Sequence, residues 1–211
     1  MKKVLTFGLM LFVAIAAVAQ NFDYGVIGGL VLSHPKGLRT NPGFSVGAKG
    51  MLALGDNPSH GFIDMQLKFT SRGWKDDIAV TGEDGRVTGY IDEVWDIYYL
   101  ELPIHVGYSF CLTDKADFFF DLGPYFAVGL FGKAKAAGDE MISNVFTENA
   151  YKRFDYGVGG NIGIRYDHVH VAFGINHTLM SPTKIEGYAW DLLDVNPKDM
   201  SFIISVAYMI K

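Results

Sequence analysis

Several groups of residues in this chain have the types and spacing to do chemistry. Asp76, Asp77, Asp92 and Glu93 form two pairs of carboxylates separated by a stretch with a turn signal. Hard divalent cations such as calcium prefer clustered oxygen ligands, so these four are the candidate metal site. Six ionisable residues, Lys49, Lys68, Glu101, His105, Asp121 and Arg165, sit one at a time inside otherwise apolar or glycine-rich runs. Buried charges must be paired or solvated, so together they suggest a network of proton-carrying or purely structural ion pairs. Ser45, Ser109, His105 and Glu101 supply the residue types of a hydrolytic triad, but their spacing does not assemble one. His177 has no serine beside it, and His168 with His170 offers two metal ligands without a third. Cys111 is the single cysteine, which excludes an intrachain disulfide framework and a cysteine-rich zinc site. The glycines around Gly157-Val158-Gly159-Gly160 do not open a helix, so they do not make a phosphate loop. No cofactor is implied.

The elements that carry these residues are period-two runs bounded by turn residues. Eight are present, near 23–32, 43–55, 61–73, 94–110, 117–131, 153–166, 169–178 and 200–210. Each reaches the roughly 9–11 residues that a tilted strand needs to cross a bilayer. One face is bulky and apolar, as in Tyr98, Leu100, Leu102, Ile104, Val106 and Tyr108, or Phe118, Phe120, Leu122, Phe126, Val128 and Leu130. The other face mixes glycine with isolated polar groups, as in Asp64, Gln66 and Lys68, or Gly157, Gly159, Asn161, Gly163 and Arg165. Eight rows of large side chains would overfill a small barrel, whereas small and charged ones fit. Apolar outside and polar inside is the transmembrane arrangement. The expected fold is therefore all-β: an eight-stranded antiparallel up-and-down transmembrane β-barrel of the outer-membrane type. A secreted soluble sandwich or lipocalin-like barrel is the competing reading.

Loop lengths point the same way. The links after the second, fourth and sixth runs are short (55–60, 111–116 and 167–168), while 33–42, 74–93, 132–152 and 179–199 are mostly long. Short periplasmic turns alternating with longer extracellular loops would put both termini in the periplasm. Tyr24, Tyr108, Tyr166 and Tyr208 would then mark one interface, and Trp74, Trp95, Tyr98 and Phe131 the other. Residues 1–19 read as a signal peptide cleaved before Gln20: Lys2 and Lys3 precede an apolar stretch that ends in Ala17-Val18-Ala19. Residues 20–211 then form one barrel domain. The whole chain has 18 basic and 23 acidic residues, and losing Lys2 and Lys3 takes the net charge from −5 to −7. Without a basic face, nucleic acid is not an expected partner.

Asp84-Gly85, flanked by Glu83 and Arg86, signals a two-residue hairpin. The third and fourth runs should therefore continue as a protruding ribbon, paired so that residue numbers sum to a constant. Thr81 then faces Thr88, Ile78 faces Ile91, Trp74 faces Trp95, and Lys68 meets Glu101 inside the barrel. Asp76 falls opposite Glu93 and Asp77 opposite Asp92, an unfavourable like-charge pairing. A bulge at Gly73, splayed strands or a bound cation would relieve it. A turn at Asp167-His168 sets Arg165 against His170, with Asp121 in diagonal reach of Arg165. Because eight strands leave no aqueous channel, the network reads better as a plug holding the barrel closed than as an ion path, and a diffusion pore is disfavoured.

The stretch YLELPIHVGYSF at Tyr99–Phe110 resembles a strand of the PorT-like small outer-membrane β-barrel proteins, a group characteristic of Bacteroidetes. FDYGVGGNIGIRY at Phe154–Tyr166 and DYGVIGGLVLS at Asp23–Ser33 are similar to other strands of that group. The resemblance implies the barrel fold and the outer membrane, and it admits a role in protein secretion or gliding machinery. It assigns no catalytic or binding residue. The expected function is thus non-enzymatic: a monomer embedded in outer-membrane lipid and lipopolysaccharide, binding a protein partner through loops 74–93 and 132–152. The alternatives are a subunit of a secretion or gliding-motility assembly and a lipid-modifying outer-membrane enzyme.

Overall fold

Alternating side chains give nine strands in a computed structural model, which describes residues 22–34, 39–81, 86–147, 151–180 and 200–210. The expected signal peptide and the Asp84-Gly85 turn lie outside the described residues. The strands are β1 Phe22–Ser33, β2 Arg39–Leu54, β3 His60–Thr81, β4 Val87–Thr113, β5 Ala116–Ala136, β6 Asp139–Ile142, β7 Phe154–Tyr166, β8 Val169–Thr178 and β9 Met200–Met209. All neighbours pair antiparallel. β1 pairs with β9 and β4 with β5, so eight strands close into a ring, and β6 adds only to β5. No described helix is long and apolar enough to cross a membrane. The eight strands of the ring correspond to the eight expected runs, and β6 is the addition.

The side chains are inverted relative to a water-soluble barrel. Leu122 and Val106 are 61% and 58% exposed, while Glu101 and Asp64 are 1% exposed. A continuous apolar belt of this kind belongs in hydrocarbon, because monomers in water rarely expose large apolar patches. Closing the ring removes every strand edge at that level, as lipid demands.

Strand lengths are unequal. β8 and β9 have 10 residues each, enough to cross, whereas β3, β4 and β5 have 22, 27 and 21. The excess rises beyond the long-loop end as a sheet. β5 turns into β6 at Ala137 and Gly138, both at positive φ (53° and 89°), the backbone of a primed hairpin turn. The protruding ribbon therefore has four strands, β3-β4-β5-β6, where the sequence indicated two.

The β3–β4 register matches the expected pairing from His60↔Ser109 to Val80↔Gly89. It slips only at the tip, where Thr81 faces Val87 instead of Thr88. No bulge occurs at Gly73 in this pair; the irregularity lies between β2 and β3, at Asn41/Ser45. A second bulge, where Tyr98↔Phe131 is followed by Tyr99↔Gly129, leaves Leu130 unpaired. Adjacent residues Leu130 and Phe131 can then both face outward, at 39% and 45% exposure, and the inward parity of β5 changes from Ala127 to Ala134.

Trp74 and Trp95 depart from the expected interface girdle. They point inward, 5% and 7% exposed, stacked with ring centroids 4.9 Å apart. Strand parity carries them into the mouth of the barrel, where the segment after β6 folds in as a cap. Val145 donates its backbone N–H to Gly132 at 3.0 Å, and Trp74 donates its indole N–H to the Tyr151 hydroxyl at 2.9 Å. Phe146 packs edge-on against Tyr99. Together these residues form the largest apolar cluster among the described residues.

Candidate functional site

Below the aromatic cap the lumen is packed with charged side chains, each placed by strand parity. On β3 the even positions Asp64, Gln66, Lys68, Thr70 and Arg72 all face in. On β7 the odd positions do, including Asp155 and Arg165. The hydrogen bonds divide these groups into tiers.

The tier nearest the cap centres on Glu101. It accepts from Arg72, from Lys68 at 3.2 Å and from Asn176 at 3.4 Å. Arg72 also donates to Asp155 at 2.8 Å, and its guanidinium lies about 5 Å from the Tyr99 and Tyr125 rings, at 5.0 and 5.1 Å. The Tyr125 hydroxyl meets Thr178 at 2.7 Å. Arg72, Asp155 and Tyr125 were not among the residues picked out from sequence. The signal for the first two was the parity itself, since each continues a row already assigned to the lumen.

The middle tier holds two separate groups. Lys49 pairs with Asp64, which also accepts from Gln66 at 2.7 Å. His105 Nδ1 lies 2.6 Å from Asp121, which accepts from Asn161 at 2.7 Å. This corrects the expected contact between Asp121 and Arg165: Asp121 is committed to His105 and Asn161. The Asp121–His105 arrangement has the form of an oriented general base, yet His105 Nε2 has no hydrogen-bond partner, and neither do the hydroxyls of Ser45 and Ser109. A nucleophile in contact with the base is therefore missing among the described residues.

At the short-turn end Arg165 faces His170 across the β7–β8 pair. Its guanidinium lies 5.0 and 5.5 Å from the Phe62 and Phe119 rings, and Asp117 stands 4.0 Å away. Large rings fit inside because glycines face them: a Cβ on Gly163 would sit 2.7 Å from the Phe119 ring.

The acidic residues of the ribbon are arranged differently. Asp76 faces Glu93 and Asp77 faces Asp92, in register. Successive residues of a strand point to opposite faces, so the four do not converge. Arg39 of β2 relieves part of the repulsion with a 2.6 Å bond to Asp77. Glu93 has its carboxyl pushed above the ordinary value, first by burial and further by Asp76. No group of three or more metal-ligating side chains comes together among the described residues.

A closed eight-stranded barrel with an apolar exterior and an ion-paired lumen defines the class: an integral β-barrel of the outer membrane. The family model described as "Outer membrane protein beta-barrel domain" matches residues 18–181, and the chain belongs to that family. No curated protein matches the sequence. Among solved structures, the chain is similar to the attachment invasion locus protein Ail of Yersinia pestis, at 11% identity over 89% of this chain and 98% of that one, TM-score 0.43. It is also similar to Neisserial surface protein A, at 12% identity over 90% and 97%, TM-score 0.48. OprG of Pseudomonas aeruginosa matches at 12% identity over 89% and 95%, TM-score 0.41.

Proposed function

We propose that this outer-membrane barrel is a non-enzymatic anchor that presents the β3-β4-β5-β6 sheet to a protein partner outside the cell. The observation that carries this reading is the contrast between a filled lumen and a long protruding sheet. Past Lys75, β3 pairs only with β4 among the described residues, and β6 pairs only with β5. Both outer edges of the sheet thus offer backbone donors and acceptors for strand addition. Exposed Tyr90, Val87 and Met141 lie on the same projection, at 71%, 53% and 58% exposure.

In this reading the short turns and both termini face the periplasm, residues 1–19 are removed on export, and the barrel stands as a monomer in lipid and lipopolysaccharide. The six lumen residues Lys49, Lys68, Glu101, His105, Asp121 and Arg165 act as a structural plug. PorT-like membership would make the partner part of a secretion or gliding assembly. A photocrosslinker at Met141 in cells should yield a discrete protein adduct. Deleting residues 77–92 should remove that adduct while heat-modifiable migration of the barrel persists. An undiminished adduct in the deleted barrel, or none in the intact one, overturns the proposal.

A further inference from the structure

The short-turn end of the lumen opens into a vestibule of about 630 Å³. Its wall changes character with depth. Asp56, Asp114 and Asp167 are exposed, Asp23 and Asp117 are half-buried, and Arg165 and His170 are 6% and 5% exposed. Five carboxylates thus surround a deep cationic group, and Lys115 is the one lysine among the described residues that line the vestibule.

Arg165 is poorly satisfied for so buried a charge. Nη1 donates to the Met51 thioether at 3.3 Å, a weak acceptor, and the nearest carboxylate oxygen, on Asp117, is 4.0 Å from Nε. Nε and Nη2 make no hydrogen bond to described residues. A buried guanidinium is costly without an oxyanion, and its planar fork suits a carboxylate or a phosphate. A simple anion, however, would have to pass the acidic mouth. A molecule that carries both signs avoids this conflict.

We propose that the vestibule binds a small zwitterion bearing a primary ammonium and an oxyanion. The oxyanion reaches Arg165 as the guanidinium turns off the Phe62 and Phe119 rings, and the ammonium sits among Asp23, Asp117 and Asp167. A free amino acid and an aminoethyl phosphate headgroup share this chemistry. Calorimetry on the full chain refolded in detergent, with glycine, phosphoethanolamine, inorganic phosphate and ethanolamine as probes, tests the proposal. Glycine or phosphoethanolamine should bind at least about tenfold tighter than phosphate or ethanolamine, the value of one charge-assisted hydrogen bond, and the tighter of the two identifies the source. Arg165→Gln should remove that advantage. If that variant does not fold, Asp167→Asn at the exposed turn decides: it should weaken the zwitterion and strengthen phosphate. Asparagine tolerates the positive φ of 53° at this position. Absence of heat with both zwitterions, phosphate binding equally well, or an Asp167→Asn effect of the same sign on both ligands overturns the proposal.

Discussion

Replacing Glu101 by glutamine removes the carboxylate that Lys68 and Arg72 share in the upper tier of the lumen. Glu101 is 1% exposed and accepts from Lys68 and Arg72. Arg72 keeps Asp155 at 2.8 Å, so Lys68, 5% exposed, is the cation left without a carboxylate. Breaking a buried pair by removing one partner costs about 3–5 kcal/mol. Glutamine retains the volume and one acceptor oxygen, which places the expected loss near the lower end, about 3 kcal/mol. Equilibrium urea unfolding in phospholipid vesicles, followed by the fluorescence of the stacked Trp74 and Trp95, measures it directly. The double variant Lys68→Met with Glu101→Gln should recover most of the loss, since no unpaired cation remains. Glu140→Gln, at the exposed Lys133–Glu140 pair, should change nothing measurable. A Glu101→Gln loss below about 0.5 kcal/mol, or a double variant no better than the single, would refute the reasoning that Glu101 neutralises Lys68.

Three further outcomes follow from the geometry. Gly163→Val places a Cβ against the Val171 backbone carbonyl and 2.7 Å from the Phe119 ring and should cost about 1–3 kcal/mol or more in the same unfolding assay, a loss Phe119→Ala does not restore because the backbone clash persists. Phe146→Ala should open the cap locally: amide exchange across residues 143–147 rises and tryptophan emission shifts to the red, while heat-modifiable migration is kept. Glu93 has a raised folded value, so its charged form is the disfavoured one. Its penalty is absent below the unfolded value of 4.5 and grows as pH rises through the folded value. Glu93→Gln should therefore slow amide exchange in the ribbon at pH 7 and leave it unchanged at pH 4; equal effects at both would argue against burial as the cause.

Much of the barrel was legible in the sequence because period two is a strong code when one face meets hydrocarbon. The rows Asp64-Gln66-Lys68 and Gly157-Gly159-Asn161-Gly163-Arg165 needed only alternation to be assigned to the lumen, and one turn signal gave the β3–β4 register from His60↔Ser109 to Val80↔Gly89. What escaped depends on events that break or outrun the code. The Leu130 bulge flips the parity of β5, so Ala134 faces in without a sequence marker. Trp74 and Trp95 looked like interface anchors because aromatic residues favour that depth. Their strands run past it, and their inward position requires Val145, Phe146 and Tyr151 to cover them, a contact made across a long connection. Arg72 and Asp155 pair across 83 residues of sequence, and neither a local pattern nor spacing identifies such partners.

The division of lumen charges into tiers also bears on how the register is specified. A one-residue slip would drive the bulky leucine and phenylalanine rows into a lumen too narrow for them. The ionic rows add a second penalty. A one-residue slip of β3 would turn its whole inward set, Lys68 and Arg72 included, toward lipid. A lysine facing the bilayer midplane costs about 2–4 kcal/mol, and Arg72, nearer the rim, adds about 0–1 kcal/mol, so both disfavour the slip. Their loss of Glu101 and Asp155 adds to that. The paired charges therefore help select the register even where their net contribution to stability is modest. Neutralising the tier in balanced pairs should leave a barrel of similar stability that populates mispaired β3 registers, detectable as additional disulfides between cysteines placed at Phe69 and on either side of Leu100.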